Sequence, residues 1–177
     1  MRRKAFVALF MFLIVTPLLA GESERGIRLE TTVMASVDQV WHAWTTEEGL
    51  TFFAPASHVE LRPGGAYEIF FDPTKPAGHR GADGNRVMLV QDKVAFAFTW
   101  NAPEAFPFAR DQHTHVMIRL YPMSDHETRL VFTQDGFGEG KDWDKVREYF
   151  QKAWGEYVLP RLVARFDDGS AQHAAKH

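Results

Sequence analysis

Cysteine is absent from the 177 residues of this chain, which removes disulfide staples, thiolate nucleophiles and cysteine-ligated zinc from consideration. Charge of one sign is also scarce. Lys and Arg number 20 against 23 Asp and Glu, a formal net charge of −3, so the chain has no basic footprint and no nucleic-acid partner is expected. Several chemical signatures are missing too: no Gly-x-Ser-x-Gly elbow, no phosphate-binding loop and no His-Glu-x-x-His pair. No cofactor and no metal are expected, and there is no internal repeat or domain linker.

What the chain does have is apolar and aromatic surface. Hydrophobic residues make up 45% of the sequence and aromatics 14%, enough for one domain to bury a substantial core. The first twenty residues stand apart. "MRRK" is basic, "AFVALFMFLIVTPLLA" is apolar and "GESERG" is polar again, the layout of a secretory signal. Ala20 suits the last position before a cut, whereas Leu18 is large where a small residue is usual. No cysteine follows the run to carry a lipid. The expectation is an exported protein, periplasmic or secreted, with residues 1–20 as signal peptide. The membrane is a partner only if that segment stays uncleaved as an anchor.

Periodicity orders the remainder. Ile27, Leu29, Thr31 and Val33 alternate with Arg28 and Glu30, as in a strand with one apolar face. Ser36-x-x-Gln39 has the form of a capping box, and Val37, Val40, Trp41 and Trp44 then fall on one helical stripe. Thr45-x-x-Glu48 repeats the capping pattern and predicts a second short helix ending near Pro55. A series of strands follows, broken at Pro63-Gly64-Gly65 and at Asp92-Lys93 as hairpins are, with loops over 74–85 and 101–112. From about Asp142 to Phe166, Val146, Phe150, Trp154, Val158, Leu162 and Phe166 recur every four residues, a long helix whose stripe must be covered by the sheet. Pro160 is expected to kink or loosen its last turns. Residues 167–177 read as a disordered tail. The resulting order, β-α-α-β6-α with about seven strands, is an α+β layer arrangement: an antiparallel sheet wrapped on a C-terminal helix.

Three stretches carry a resemblance: "VWHAWTTEEGLTFFAP", "ELRPGGAYEI", and "TRLVFTQDGF" followed by "YFQKAWGEYVLPRL". Together they resemble the START-like, or SRPBCC, superfamily with its helix-grip fold. Within it they resemble the family named for the C-terminal domain of the heat-shock protein 90 ATPase activator, over about residues 27–166. The sequence departs from that pattern at Ala153, where the family usually has Gly, at Phe52, where Trp is common, at Pro160, and in its export signal. The resemblance implies a cavity between sheet and helix suited to a small, mostly apolar molecule. Candidates for its wall are Phe53, Tyr67, Phe71, Phe98, Trp100, Phe132, Phe150 and Trp154, although aromatic stripes also simply fill cores. The loops over 72–85 and 101–112, the latter with "AFPF" at 105–108, are candidates for its mouth.

Two other readings stay open. A cyclase- or hydrolase-type enzyme needs polar groups inside the cavity, and Tyr67, Asn101 and Gln134 are the nearest candidates. A protein-binding module, akin to a co-chaperone, predicts an apolar patch of Phe70, Met117 and Val131 on the outer sheet face. His113-x-His115 has a chelating spacing, but no third ligand is evident.

Overall fold

The computed structural model describes residues 25–174, with side chains as far as Asp167. The expected signal peptide over 1–20 lies outside the described residues, as do 175–177. Among the described residues no helix is long and apolar enough to cross a membrane.

The chain opens with strand β1 (Ile27–Val33) and helix α1 (Val37–Thr45). The capping box forms as expected: the Ser36 side chain accepts from the Gln39 N–H, and Gln39 reaches back to the Ser36 N–H. The second helix is only a 3-10 turn, Gly49–Phe52. The expected Thr45 cap does not form, and Glu48, the residue before the turn, makes no side-chain cap bond. Thr46 Oγ1 accepts from the Gly49 N–H at 2.9 Å, whereas Thr45 folds back onto the Trp41 carbonyl. Gly49 sits against α1: a Cβ there would lie 2.1 Å from the His42 carbonyl oxygen.

Seven strands follow: β2 (Ala56–Val59), β3 (Tyr67–Phe70), β4 (Gly81–Ala82), β5 (Val87–Gln91), β6 (Ala95–Trp100), β7 (Thr114–Ser124) and β8 (Glu127–Asp135). With β1 they number eight among the described residues, one more than expected. The addition is β4, two residues inside the loop predicted over 74–85. Gly81 permits it, since its φ of +146° and its closeness to Phe71 and the Ile69 carbonyl exclude a side chain. Five strands pair antiparallel in the order β1-β8-β7-β6-β5, and β2-β3-β4 form a smaller sheet. An Ala66–Arg86 bridge and the Tyr67 N–H bond to the Asn85 carbonyl tie the two together. Helix α2 (Pro107–Arg110) interrupts the loop before β7. "AFPF" overlaps its start, and the rings of Phe106 and Phe108 pack on Tyr149 and Trp143 of the C-terminal helix.

That helix is continuous but not uniform: α3 (Lys141–Lys152), a π-helical stretch (Ala153–Val158) and α4 (Leu159–Ala174). The four-residue repeat explains the π turn. In an α-helix each four-residue step drifts by about 40°, so a stripe of that period winds off the buried face. The π turn, marked by the Leu159 N–H bond to the Trp154 carbonyl five residues back, takes up part of that drift. Val146, Phe150, Trp154, Val158 and Leu162 are all buried as a result. Pro160 acts on the turn before it rather than loosening the last turns. It lacks an N–H and its ring crowds the carbonyl four residues earlier, at Glu156. The helix then runs on to Ala174, into the stretch read as a disordered tail.

Gly49→Ala is expected to cost about 2–3 kcal/mol, because the added methyl overpacks the junction of α1 and the 3-10 turn. Urea denaturation reads this directly, and a midpoint equal to that of the parent protein would contradict the packing described.

Candidate functional site

The interior between the five-stranded sheet and the helix is filled. Tyr67, Phe96, Phe98 and Phe132 are fully buried with Trp154, and their rings pack on one another through the layer in stacked and tilted pairs. Open space lined by aromatic rings lies at one end, as a cleft of about 230 Å³. It is walled by the helix, by Phe53 after the 3-10 turn, and by the loops after β3 and β6. Of the eight sequence candidates, Phe53, Phe71, Trp100, Phe150 and Trp154 line this cleft. Tyr67, Phe98 and Phe132 do not. Their strand positions point into the core, where neighbouring rings close over them.

A buried hydrogen-bond relay sets the floor. The Trp154 indole N–H donates to Gln134 Oε1 at 2.7 Å, Gln134 Nε2 donates to Thr114 Oγ1 at 2.8 Å, and Thr114 Oγ1 donates to the Trp100 carbonyl at 2.9 Å. The relay joins the π turn to β8, β7 and β6 and places the two tryptophan rings 5.3 Å apart. Phe53 stacks on Trp100 at 5.9 Å. Two further rings stand half-exposed in the walls: Phe71, 50% exposed, and Tyr149, 45%. Exposed aromatic surface in a concave wall is what an apolar occupant would remove from water.

Sequence reasoning named both loops but missed the charged residues they bring to the mouth, Asp72, Lys75, His79, Arg80, Glu104 and Arg110. No periodicity marks them, only the density of Gly, Pro and charge in a loop. Asp83 organises the first loop, accepting from the N–H groups of Gly78, Arg80 and Gly81 and from Arg80 Nε. Burial opposes its ionisation, but the Arg80 side chain and the Gly78 and Arg80 N–H groups outweigh that and hold its carboxyl below the usual range. Arg110 ties the two loops by donating to the carbonyls of Ala102, Gly78 and Gly81. His79 hydrogen-bonds Glu104 across the mouth. That bond, aided by the nearby cations, keeps the Glu104 carboxyl low.

The polar candidates for chemistry are occupied by structure. The Tyr67 hydroxyl donates to the Trp44 carbonyl at 2.8 Å, and burial pushes its pKa far up. Asn101 donates to the Asp83 carbonyl and accepts from Asn85, and Gln134 belongs to the relay. The outer-face patch does not form as expected. Arg80 lies 3.8 Å over the Phe70 ring, Val131 is buried, and Met117 is instead near Leu89, across Ala97 of β6. His115 bonds Asp135, and among the described residues no three His, Asp or Glu are grouped to hold a metal. A second groove of about 320 Å³ between β1 and α4, lined by Leu29, Pro160 and Val163 among others, carries no aromatic ring.

A curved antiparallel sheet gripping a long C-terminal helix, with an aromatic cleft at one end, defines a helix-grip domain of the START-like, SRPBCC class. The family described as activator of Hsp90 ATPase homolog 1-like protein matches residues 34–167, and the chain belongs to it. No curated protein matches the sequence. Among solved structures, the chain is similar to a protein of Mesorhizobium loti at 19% identity and a TM-score of 0.64, covering 81% of this chain and 97% of that one. An HSP90 activator from Plasmodium falciparum matches at 14% identity and a TM-score of 0.61, covering 77% and 92%. The Aha1 dimer from Colwellia psychrerythraea matches at 16% identity and 0.60, covering 80% and 95%. At these identities the likeness is one of fold.

Gln134→Leu is expected to destabilise the protein by about 1–3 kcal/mol, because it leaves the Trp154 N–H buried without an acceptor. In that background Trp154→Phe should add less than it does alone. Equal costs in both backgrounds, measured by denaturation, would mean the relay carries no coupling. Asp83, with its depressed folded-state pKa, contributes stability that is present above the ordinary carboxylate range and lost as pH falls through the depressed value. Asp83→Asn should therefore lower stability at neutral pH and flatten the decline on the acid side. A parallel pH profile in the variant would contradict this.

Proposed function

We propose that this protein is exported and binds a small, mostly apolar molecule in the cleft between the C-terminal helix and the loops after β3 and β6. The observation that carries the reading is the pair of half-exposed rings, Phe71 and Tyr149, in the walls above a floor of Phe53, Trp100 and Trp154. The volume of about 230 Å³ lies under the range of roughly 300–1,000 Å³ usual for drug-sized ligands, so the occupant is about one or two fused rings in size. Export rests on the basic, apolar and polar order of residues 1–24. Cell fractionation with sequencing of the mature N-terminus tests it, and a cytoplasmic protein beginning at Met1 would overturn it.

A protein-binding reading has one observation in its favour: Leu89 and Met117, 43% and 38% exposed, lie near one another on the outer sheet face across Ala97. An exported protein would not meet a cytosolic chaperone. An enzyme reading has less support, since the acid–base pair in the cleft, His79 and Glu104, sits at the rim and joins two loops.

Phe71→Ala and Tyr149→Ala should each weaken binding of the neutral probe prodan about 5-fold, the equivalent of roughly 1 kcal/mol of apolar contact. Both residues are half-exposed, so the variants should fold. Fluorescence titration reads the effect, and unchanged affinity in folded variants would overturn the assignment of the cleft.

A further inference from the structure

The polar groups around the cleft are unevenly engaged. Asp83 takes four donors, Arg110 gives both terminal nitrogens to carbonyls, His79 bonds Glu104, and Asp72 accepts from Thr74. Among the described residues several donors in the lining have no such partner, the Tyr149 hydroxyl and the Arg80 terminal nitrogens among them, and two bear most on the occupant. One is the Lys75 ammonium, exposed at the mouth, which among the described residues forms no ion pair or hydrogen bond through its side chain, although its charge is felt by Asp72 and Glu104. The other is the indole N–H of Trp100. The ring is 4% exposed, and its N–H meets no protein acceptor among the described residues. It is not sealed in the core either. Among the described residues the buried side-chain polar atom without a partner is the Trp44 indole nitrogen, so the Trp100 N–H keeps access to solvent, and the cleft is the opening that Trp100 lines.

An indole N–H donates and cannot accept. Placed in a mostly apolar cleft, it is left unpaired if the occupant is a pure hydrocarbon, because binding expels the water that served it. An occupant with an acceptor oxygen on an aromatic body avoids that cost. Lys75 adds a positive charge at the mouth, which favours an ionised oxygen over a neutral one.

We propose that the occupant is an aromatic acid of one or two fused rings, its carboxylate accepting from the Trp100 indole N–H in the field of Lys75. This rests on the cleft being the ligand site.

The test uses three probes of one shape: 2-naphthoate, 2-ethylnaphthalene and 2-naphthylmethylammonium, with affinities from calorimetry or competition against prodan. Naphthoate is expected to bind about 10-fold more tightly than ethylnaphthalene, and the ammonium probe most weakly. Lys75→Met, on an exposed loop, should bring naphthoate within about 2-fold of ethylnaphthalene while leaving ethylnaphthalene unchanged. The chain has five tryptophans, so a nitrogen–proton spectrum separates their indole signals, and Trp100→Phe assigns one of them. Naphthoate should move that signal downfield and ethylnaphthalene should not. Equal binding of the three probes, an ammonium preference, or an unmoved Trp100 signal would overturn the acid proposal while leaving the cleft as a binding site. Failure of all three probes and of prodan to bind would overturn the cleft reading itself.

Discussion

The hydrogen bond from the Trp154 indole to Gln134 is the contact on which the arrangement turns. It is 2.7 Å long and buried, and it continues through Thr114 to the Trp100 carbonyl. Hydrophobic packing alone would press the helix on the sheet without fixing its rotation. A buried polar chain in which each link is satisfied fixes it, because any slip leaves a donor unpaired at a cost of about 1–3 kcal/mol. The same chain holds both tryptophans that form the cleft floor. Fold and candidate site therefore share one set of atoms.

The helix meets this demand through its π turn. Side chains repeating every four residues cannot stay on one face of an α-helix over six turns, and the under-wound stretch at Ala153–Val158 keeps Trp154 and Val158 on the buried side. Pro160 falls just beyond it, where its ring and missing N–H favour a wider preceding turn. π turns often occur at functional sites. Here the turn supplies Ala153, Trp154 and Val158 to the cleft wall. The cleft exists because the middle of the helix, the Phe53 turn and two loops meet without closing, while further along the sheet the rings of Phe96, Phe98 and Phe132 fill the space.

Much of this was legible in the sequence, for reasons that differ by element. Regular periods survive in sequence, so β1, α1 with its Ser36 cap, the paired strands β5 and β6, and the long helix could be read directly. The π turn was implicit in the four-residue repeat, although Pro160 alone suggested a disturbance in the wrong place. Strand β4 was not legible, because two residues show no alternation and Gly81 reads as a loop. Among the wall candidates, alternation separates inside from outside on a strand but not core from cleft. Phe98 and Trp100 share a face of β6, yet only Trp100, at the strand's end, meets open space. The mouth was least legible. Lys75, His79, Glu104 and Arg110 come together through loop closure, which no local pattern encodes.

The central claim is that the aromatic end of the domain, and not its outer sheet face or the groove beside β1, is where a ligand sits. A crystal structure of the protein purified from its own host, without added ligand, tests this most directly. The account predicts density for a small planar molecule against Phe71, Tyr149 and Trp100. A molecule bound instead between β1 and α4, or a macromolecular partner seated over Leu89 and Met117, would contradict it.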